Sequence, residues 1–377
     1  MIKNIESLPS YLFVKISKAN YLVWLKNSNR YLVLDSKIFK LLDLMPQLSQ
    51  ADFLAYISKY LKVNSIIAKK INTDISELLL DSVVIPTKKQ YIKSLKLNHF
   101  DIVNFYSFNN ITIKVSYDSK DTKCLIHPKY NHLELLNNND NFQVQYSIFQ
   151  KENKIFIYKD DHLVGSWNEY EMHEFQGKFS MEFLCSSYNK TEHDWMGVFH
   201  ASTISKDNQS IMFTGDSGNG KSTLVSILMA NGYNIIADDF TPILRSDMKT
   251  YCFPTAISIK EKSFDMIESM YPVIAEFKEY YINELKGNVK YLPPITNKIN
   301  ATCNSVVWVK YGKELDNKLE KISTENALQK FLPDAWISNN DINAKAFMKW
   351  VSNTNFYELK YSNNKKLISL VDSLFLD

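Results

Sequence analysis

Residues 215–223 read GDSGNGKST and fit the pattern G-x-x-x-x-G-K-[ST]. Three of the nine glycines in 377 residues fall inside this stretch. A loop of this kind turns backbone N–H groups and a helix N-terminus toward an anion. Gly215, Asp216, Ser217, Gly218, Asn219, Gly220, Lys221, Ser222 and Thr223 are therefore the candidate nucleotide-binding residues. Lys221 can reach the outer phosphates of ATP, and Ser222 can ligate Mg²⁺. A plain glycine turn needs neither the lysine nor the flanking elements. Two carboxylates follow in NIIADDF, residues 234–240. Asp238 and Asp239 end an apolar stretch one helix after the loop. One of them can join a metal's coordination sphere and the other can accept a proton from an attacking hydroxyl. A solvated acidic pair at a strand end is the plainer alternative.

The elements needed to position these groups are visible on either side. Ser210 to Thr214 reads as a short buried strand. Ser222 to Asn231 reads as a helix with apolar Leu224, Val225, Leu228 and Met229, and Gly232 supplies its stop. His200 lies in the strand-like GVFHASTIS, expected beside the loop strand. It could orient an acceptor hydroxyl or touch a phosphate, or it could be a satisfied core histidine. Arg30 and Arg245 are the only arginines, so the usual bidentate phosphate clamp is scarce. Lys260 and Lys290 are candidate substitutes for meeting charge on a transferred phosphoryl group, and both could equally be surface lysines.

FHASTIS, GDSGNGKST and ADD, in that order and spacing, resemble the catalytic core of the HPr kinase family. The resemblance implies that Gly215, Gly218, Gly220 and Lys221 bind phosphates and that Ser222 holds Mg²⁺. It implies Asp238 as general base, Asp239 as metal or substrate partner, and His200 as an aid at the acceptor. Two departures stand out. Thr223 replaces a usual acidic residue, and FPTAISIKEKSF (253–264) stands where a glycine-rich signature is expected. They argue against HPr itself as acceptor and toward a divergent kinase of peptides or small hydroxy compounds.

Length suggests two or three domains. Hydrophobic content of 45% and charged content of 23% describe a globular chain with a core. The net charge of +3 gives no reason to expect nucleic acid. No apolar run approaches a membrane span and no signal peptide is apparent, so a cytoplasmic protein is expected. Cys124, Cys185, Cys252 and Cys303 are scattered, which reads as reduced, buried thiols. His127, His132, His162, His173 and His193 lack metal-ligand spacing; the first two read as surface residues on a proline-containing loop.

The expected fold class is α/β. Residues 195–377 would form an HPr kinase-like P-loop core, 97–194 its β-rich N-terminal portion, and 1–85 a small α+β module. In the module, strands at Phe13–Ser17, Tyr21–Leu25 and Tyr31–Asp35 precede helices at Ser36–Leu44, from Ser49 to about Tyr60, and from Asn72 or Thr73 to Leu80. In the β-rich portion ITIKVSY, FQVQYSIF, KIFIYKD and KFSMEFL read as strands. The module, with YLVLDSKIFKLLDLM inside it, resembles the PqqD-like (winged-helix-like) fold, whose members often recognise leaders of ribosomally made peptides. That implies a leader adding as a strand beside Tyr31 to Leu34 and packing near Ile75 to Leu79. The combined expectation is an ATP-dependent kinase of a Ser/Thr hydroxyl on a precursor peptide or protein held through residues 1–85. A kinase of a free metabolite such as serine, and a nucleotide-dependent binding protein without transfer, are the alternatives. A homo-oligomer is left open.

Overall fold

The computed structural model describes residues 6–7, 11–80, 100–136, 141–284, 286–297 and 299–376. The expected boundaries at 85 and 97 lie outside the described residues. The molecule is mixed α/β, as expected.

Four antiparallel strands open the chain: β1 (Glu6–Ser7), β2 (Tyr11–Lys15), β3 (Asn20–Leu25) and β4 (Arg30–Asp35). Helices α1 (Ser36–Leu44), α2 (Gln50–Leu61) and α3 (Ser65–Leu80) follow. Ser49 caps α2 as expected, its hydroxyl accepting from the Asp52 N–H at 3.2 Å. The third helix corrects the expectation. It begins at Ser65, where Asn64 Oδ1 accepts from the Ile67 N–H at 3.0 Å, so Asn72 and Thr73 lie in its interior. Alternation along the strands explains why both faces of this sheet are apolar. Leu12, Val14, Leu22 and Trp24 pack with Met196, Phe199 and Phe347 of the core. Tyr11, Val23 and Leu25 pack with Phe39, Phe53 and Ile57 of the helices.

The middle portion carries β5 (Ile102–Phe108), β6 (Ile111–Tyr117), helix α4 (Lys120–Tyr130), β7 (Val144–Lys151), β8 (Lys154–Lys159) and β9 (His162–Asn168). They form a five-stranded sheet in the order β5-β6-β7-β8-β9. KFSMEFL is not a strand. It lies in helix α5 (Met172–Tyr188), whose Phe175, Phe179 and Phe183 recur every four residues and are fully buried. These aromatics share one cluster with Trp195, Val198, Ala237 and Phe253, so the middle portion and the core that follows are packed together.

That core contains β10 (Trp195–Phe199), β11 (Ser202–Lys206), β12 (Gln209–Thr214), α6 (Lys221–Ala230), β13 (Asn234–Ala237), β14 (Thr241–Leu244) and β15 (Lys249–Tyr251). Next come β16 (Ile257–Lys260), α7 (Phe264–Met270), β17 (Tyr280–Asn283), β18 (Gly287–Leu292), β19 (Asn300–Tyr311) and β20 (Lys318–Lys321). The chain closes with α8 (Thr324–Phe331), β21 (Ala335–Ile337), α9 (Asp341–Asn353), β22 (Asn355–Tyr361) and α10 (Asn364–Ser373). A large sheet runs β13-β11-β12-β19-β15-β14-β10-β21, with β22 also paired to β19 and β20 to β22. The loop strand β12 is parallel to β19, and β19 to β22. Strands β16, β18 and β17 make a separate small sheet. No helix among the described residues is long and apolar enough to cross a membrane.

Candidate active site

The glycine loop joins β12 to α6. A methyl at Gly215 would sit 2.8 Å from the Val309 carbonyl oxygen, so the loop enters pressed against β19 and only glycine fits there. Gly218 turns at φ 94°, in the region side chains avoid. Lys221 is buried, and its ammonium donates back to the Gly215 carbonyl oxygen and, at 3.4 Å, to that of Asp216. Burial lowers its pKa. Asp216, Ser217 and Gly218 are exposed at the loop's crown, and Asn219 Nδ2 donates to Asp216 Oδ2 at 3.3 Å. Thr223 donates to or accepts from Ser263 at 3.0 Å, which ties it to the segment before α7.

Asp238 follows β13 and is buried. Its Oδ1 accepts from the Ser202 hydroxyl, and Ser222 Oγ donates toward both carboxylate oxygens at 3.2 and 3.0 Å. The Ser258 N–H adds a bond to Oδ2 at 3.3 Å. Burial and the neighbouring Asp239 charge push the Asp238 carboxyl up to about 7 against those hydrogen bonds. Asp239 adopts a left-handed backbone at φ 63°, which turns its side chain to the other flank. There His200 Nε2 lies 3.8 Å from Asp239 Oδ1. Burial alone would raise Asp239, but His200, Lys129, Lys221 and Lys286 outweigh it and hold this carboxyl below its ordinary value. Ser222, expected beside Asp239 at a metal, is hydrogen-bonded to Asp238.

His200 is neither a strand residue nor a core residue. It occupies the break between β10 and β11, is exposed, and its N–H donates to the Asp334 carbonyl oxygen at 3.4 Å. Lys260 shares a face of β16 with Ser258 and borders the loop lysine, whose charge it opposes. Lys290 is elsewhere. Its strand partner is Ile259, and its buried ammonium lies 5.0 Å from the Phe264 ring and 3.8 Å from Glu279 Oε1. It serves packing and is not a surface lysine.

Lys129 and Lys286 escaped sequence reasoning. Lys129 belongs to α4, which with the turn after it docks on the FPTA segment through Ala256 N–H to the Lys129 carbonyl at 2.9 Å and His132 Nε2 to the Pro254 carbonyl at 2.8 Å. Its side chain is half-buried in the field of Asp239 and Asp238, and burial lowers its pKa. The proline-containing loop assigned to His127 is this helix. His127 Nδ1 bonds the Tyr106 hydroxyl at 2.9 Å and is half-buried, while burial lowers His132 to about 4. Neither is a free surface histidine. Cys124 is exposed, against expectation, and the other three cysteines are buried; all four are free.

The donor set suits a nucleotide with Mg²⁺. Among the described residues no group of three or more His, Cys, Asp or Glu could hold a metal alone. Mg²⁺ commonly takes one or two carboxylates and completes its shell with water and substrate phosphates, which the Ser222 hydroxyl and the aspartates could accommodate.

The chain matches no family model, and no curated protein matches it in sequence. Among solved structures it is similar to the Hpr(Ser) kinase/phosphatase from Coxiella burnetii, with a TM-score of 0.24 and 11% identity, over 48% of this chain and 96% of that one. A likeness of that size carries no weight for activity.

Proposed function

We propose that the protein is an ATP- and Mg²⁺-dependent phosphotransferase that acts on a Ser or Thr hydroxyl of a ribosomally made precursor peptide or protein. The observation that carries this reading is the Ser222–Asp238 contact, which ties the first turn after the phosphate loop to a buried carboxyl raised to about 7. A loop that only binds nucleotide has no use for a base poised there.

Each residue has a role on this reading. Gly215 to Thr223 form the cradle, and Lys221 moves from the loop carbonyls to the outer phosphates. Mg²⁺, which Ser222 and Asp239 would hold, would supply neutralisation of phosphate charge. Asp238 accepts the hydroxyl proton. Asp239 stays ionised and, with His200, orients the acceptor side. Lys129, Lys260 and Lys286 meet the charge that develops on the group in transit, in place of arginine.

A groove favours a peptide over a small acceptor. The outer edge of β4 borders a cavity of about 410 Å³ lined by Tyr31, Leu32, Val33, Leu328, Leu332 and Pro333. Leu332 and Pro333 of its lining belong to the turn whose Asp334 carbonyl accepts from the His200 backbone N–H. An extended chain added to β4 would have its continuation near His200.

The test is transfer of labelled γ-phosphate from ATP to Ser- or Thr-containing precursor peptides and, separately, to free serine. Peptide labelling that requires Asp238 supports the proposal. Labelling of serine alone leaves the chemistry and refutes the acceptor.

A further inference from the structure

The phosphate cradle has two unlike flanks. On one side β12 pairs with β11 and β11 with β13, which leads to Asp238 and Asp239. On the other, β12 pairs in parallel with β19 and β19 with β22, so Thr214, Tyr311 and Tyr361 leave the sheet at one carboxyl end. Ligands of open α/β sheets sit at such ends. The loop follows this second flank closely. It starts against Val309 at Gly215 and finishes against the tyrosines. A methyl at Gly220 would lie 3.5 Å from Tyr311 Cβ and 3.2 Å from the Tyr361 hydroxyl.

The two tyrosines differ. Tyr361 is 1% exposed and Tyr311 is 45% exposed. Their ring centroids are 5.2 Å apart at an interplanar angle of 53°, so the buried ring supports the exposed one without stacking over it. The turn behind Tyr311 is pinned by Gly312 N–H to the Tyr361 carbonyl at 3.2 Å and by Ser362 N–H to Asn317 Oδ1 at 3.0 Å. An exposed, braced aromatic ring therefore stands on the flank of the loop strand opposite the one that carries the carboxylates. A nucleoside triphosphate has the same polarity, with its outer phosphate toward the acceptor and its base away from it.

We infer that Tyr311 is the stacking platform for the base of a nucleoside triphosphate bound in the loop. This rests on the nucleotide reading above and deepens it, because a base platform makes the donor a nucleotide and not inorganic pyrophosphate or polyphosphate. Stacking reads a π-face and not a hydrogen-bond pattern, so adenine and guanine are both accommodated.

The test is a set of calorimetric titrations of the full chain with MgATP, MgGTP and inorganic tripolyphosphate. Tyr311→Ala is expected to weaken ATP and GTP on the order of tenfold, with tripolyphosphate unchanged and Tyr311→Phe close to wild type. An Ala variant that binds ATP as wild type does overturns the inference. Wild-type protein that binds no triphosphate of any kind overturns the nucleotide reading itself. Should the Ala variant lose tripolyphosphate as well, photolabelling of wild-type protein with 8-azido-ATP decides. Label on the peptide containing Tyr311 supports the platform, and label confined elsewhere refutes it.

Discussion

Ser222 and Asp238 are joined by a hydroxyl that reaches both oxygens of one carboxylate, at 3.2 and 3.0 Å. Sixteen positions separate them in sequence. The contact makes the glycine loop and the acidic strand end a single site, and it divides the pair, since Asp239 faces His200 instead.

That division predicts different phenotypes for isosteric variants. Asp238→Asn should lower phosphotransfer by about 10²–10⁴-fold with MgATP binding retained. Asp239→Asn should raise the Mg²⁺ concentration needed for half-maximal rate. Steady-state rates across a Mg²⁺ titration check both, and the reverse pattern would exchange the two roles.

The raised Asp238 carboxyl sets a pH dependence. A base must be ionised, so kcat/KM in the free enzyme should fall as pH drops below about 7. Ser202→Ala removes a donor to the ionised form, which moves that acid limb to higher pH. For stability the sign is opposite. A carboxyl that binds its proton more tightly folded than unfolded withdraws stability as pH rises from 3.8 through about 7. Asp238→Asn should flatten that part of a denaturation-versus-pH curve.

Lys129 offers a test that reaches into another part of the chain. Lys129→Gln should reduce kcat by about 10²–10³-fold, the usual loss for one transition-state donor, with a much smaller change in ATP affinity. Lys129→Arg should recover part of it. A kcat equal to wild type in the Gln variant would remove Lys129 from the site's chemistry.

The N-terminal sheet is buried on both faces, so it should not unfold separately. Leu22, fully buried against core residues, is a suitable probe. Leu22→Ala should cost about 2–5 kcal/mol and lower a single cooperative transition. Two transitions, with the core's unmoved, would contradict this packing.

The groove predicts a change in peptide use alone. Gln329 is exposed on the groove wall. Gln329→Trp should raise the KM for a precursor peptide and leave the KM for ATP in place, as read from initial rates.

Local signals in the sequence carried the loop, its strand and helix and the Asp pair, because glycine chemistry, capping and apolar period act over a few residues. Long-range pairing was not legible. Nothing local joins β12 to β19, whose paired residues Thr214 and Trp308 are far apart in sequence. Lys129 was hidden for the same reason, since the docking of α4 on the 254–256 segment brings it to the site. Aromatic-rich KFSMEFL imitated a strand, although the four-residue recurrence of Phe175, Phe179 and Phe183 was a readable helical stripe. His200 was placed in a strand because the break after Phe199 comes from pairing, with β10 and β11 taking different neighbours.

The most direct test of the central claim follows labelled γ-phosphate from ATP onto Ser- or Thr-containing precursor peptides, comparing wild-type protein with Asp238→Asn. A stable phosphate ester on the peptide with wild type, and none with the variant, is the predicted result. Equal labelling by both proteins would contradict the account, as would MgATP binding by wild type with no transfer to any hydroxyl acceptor.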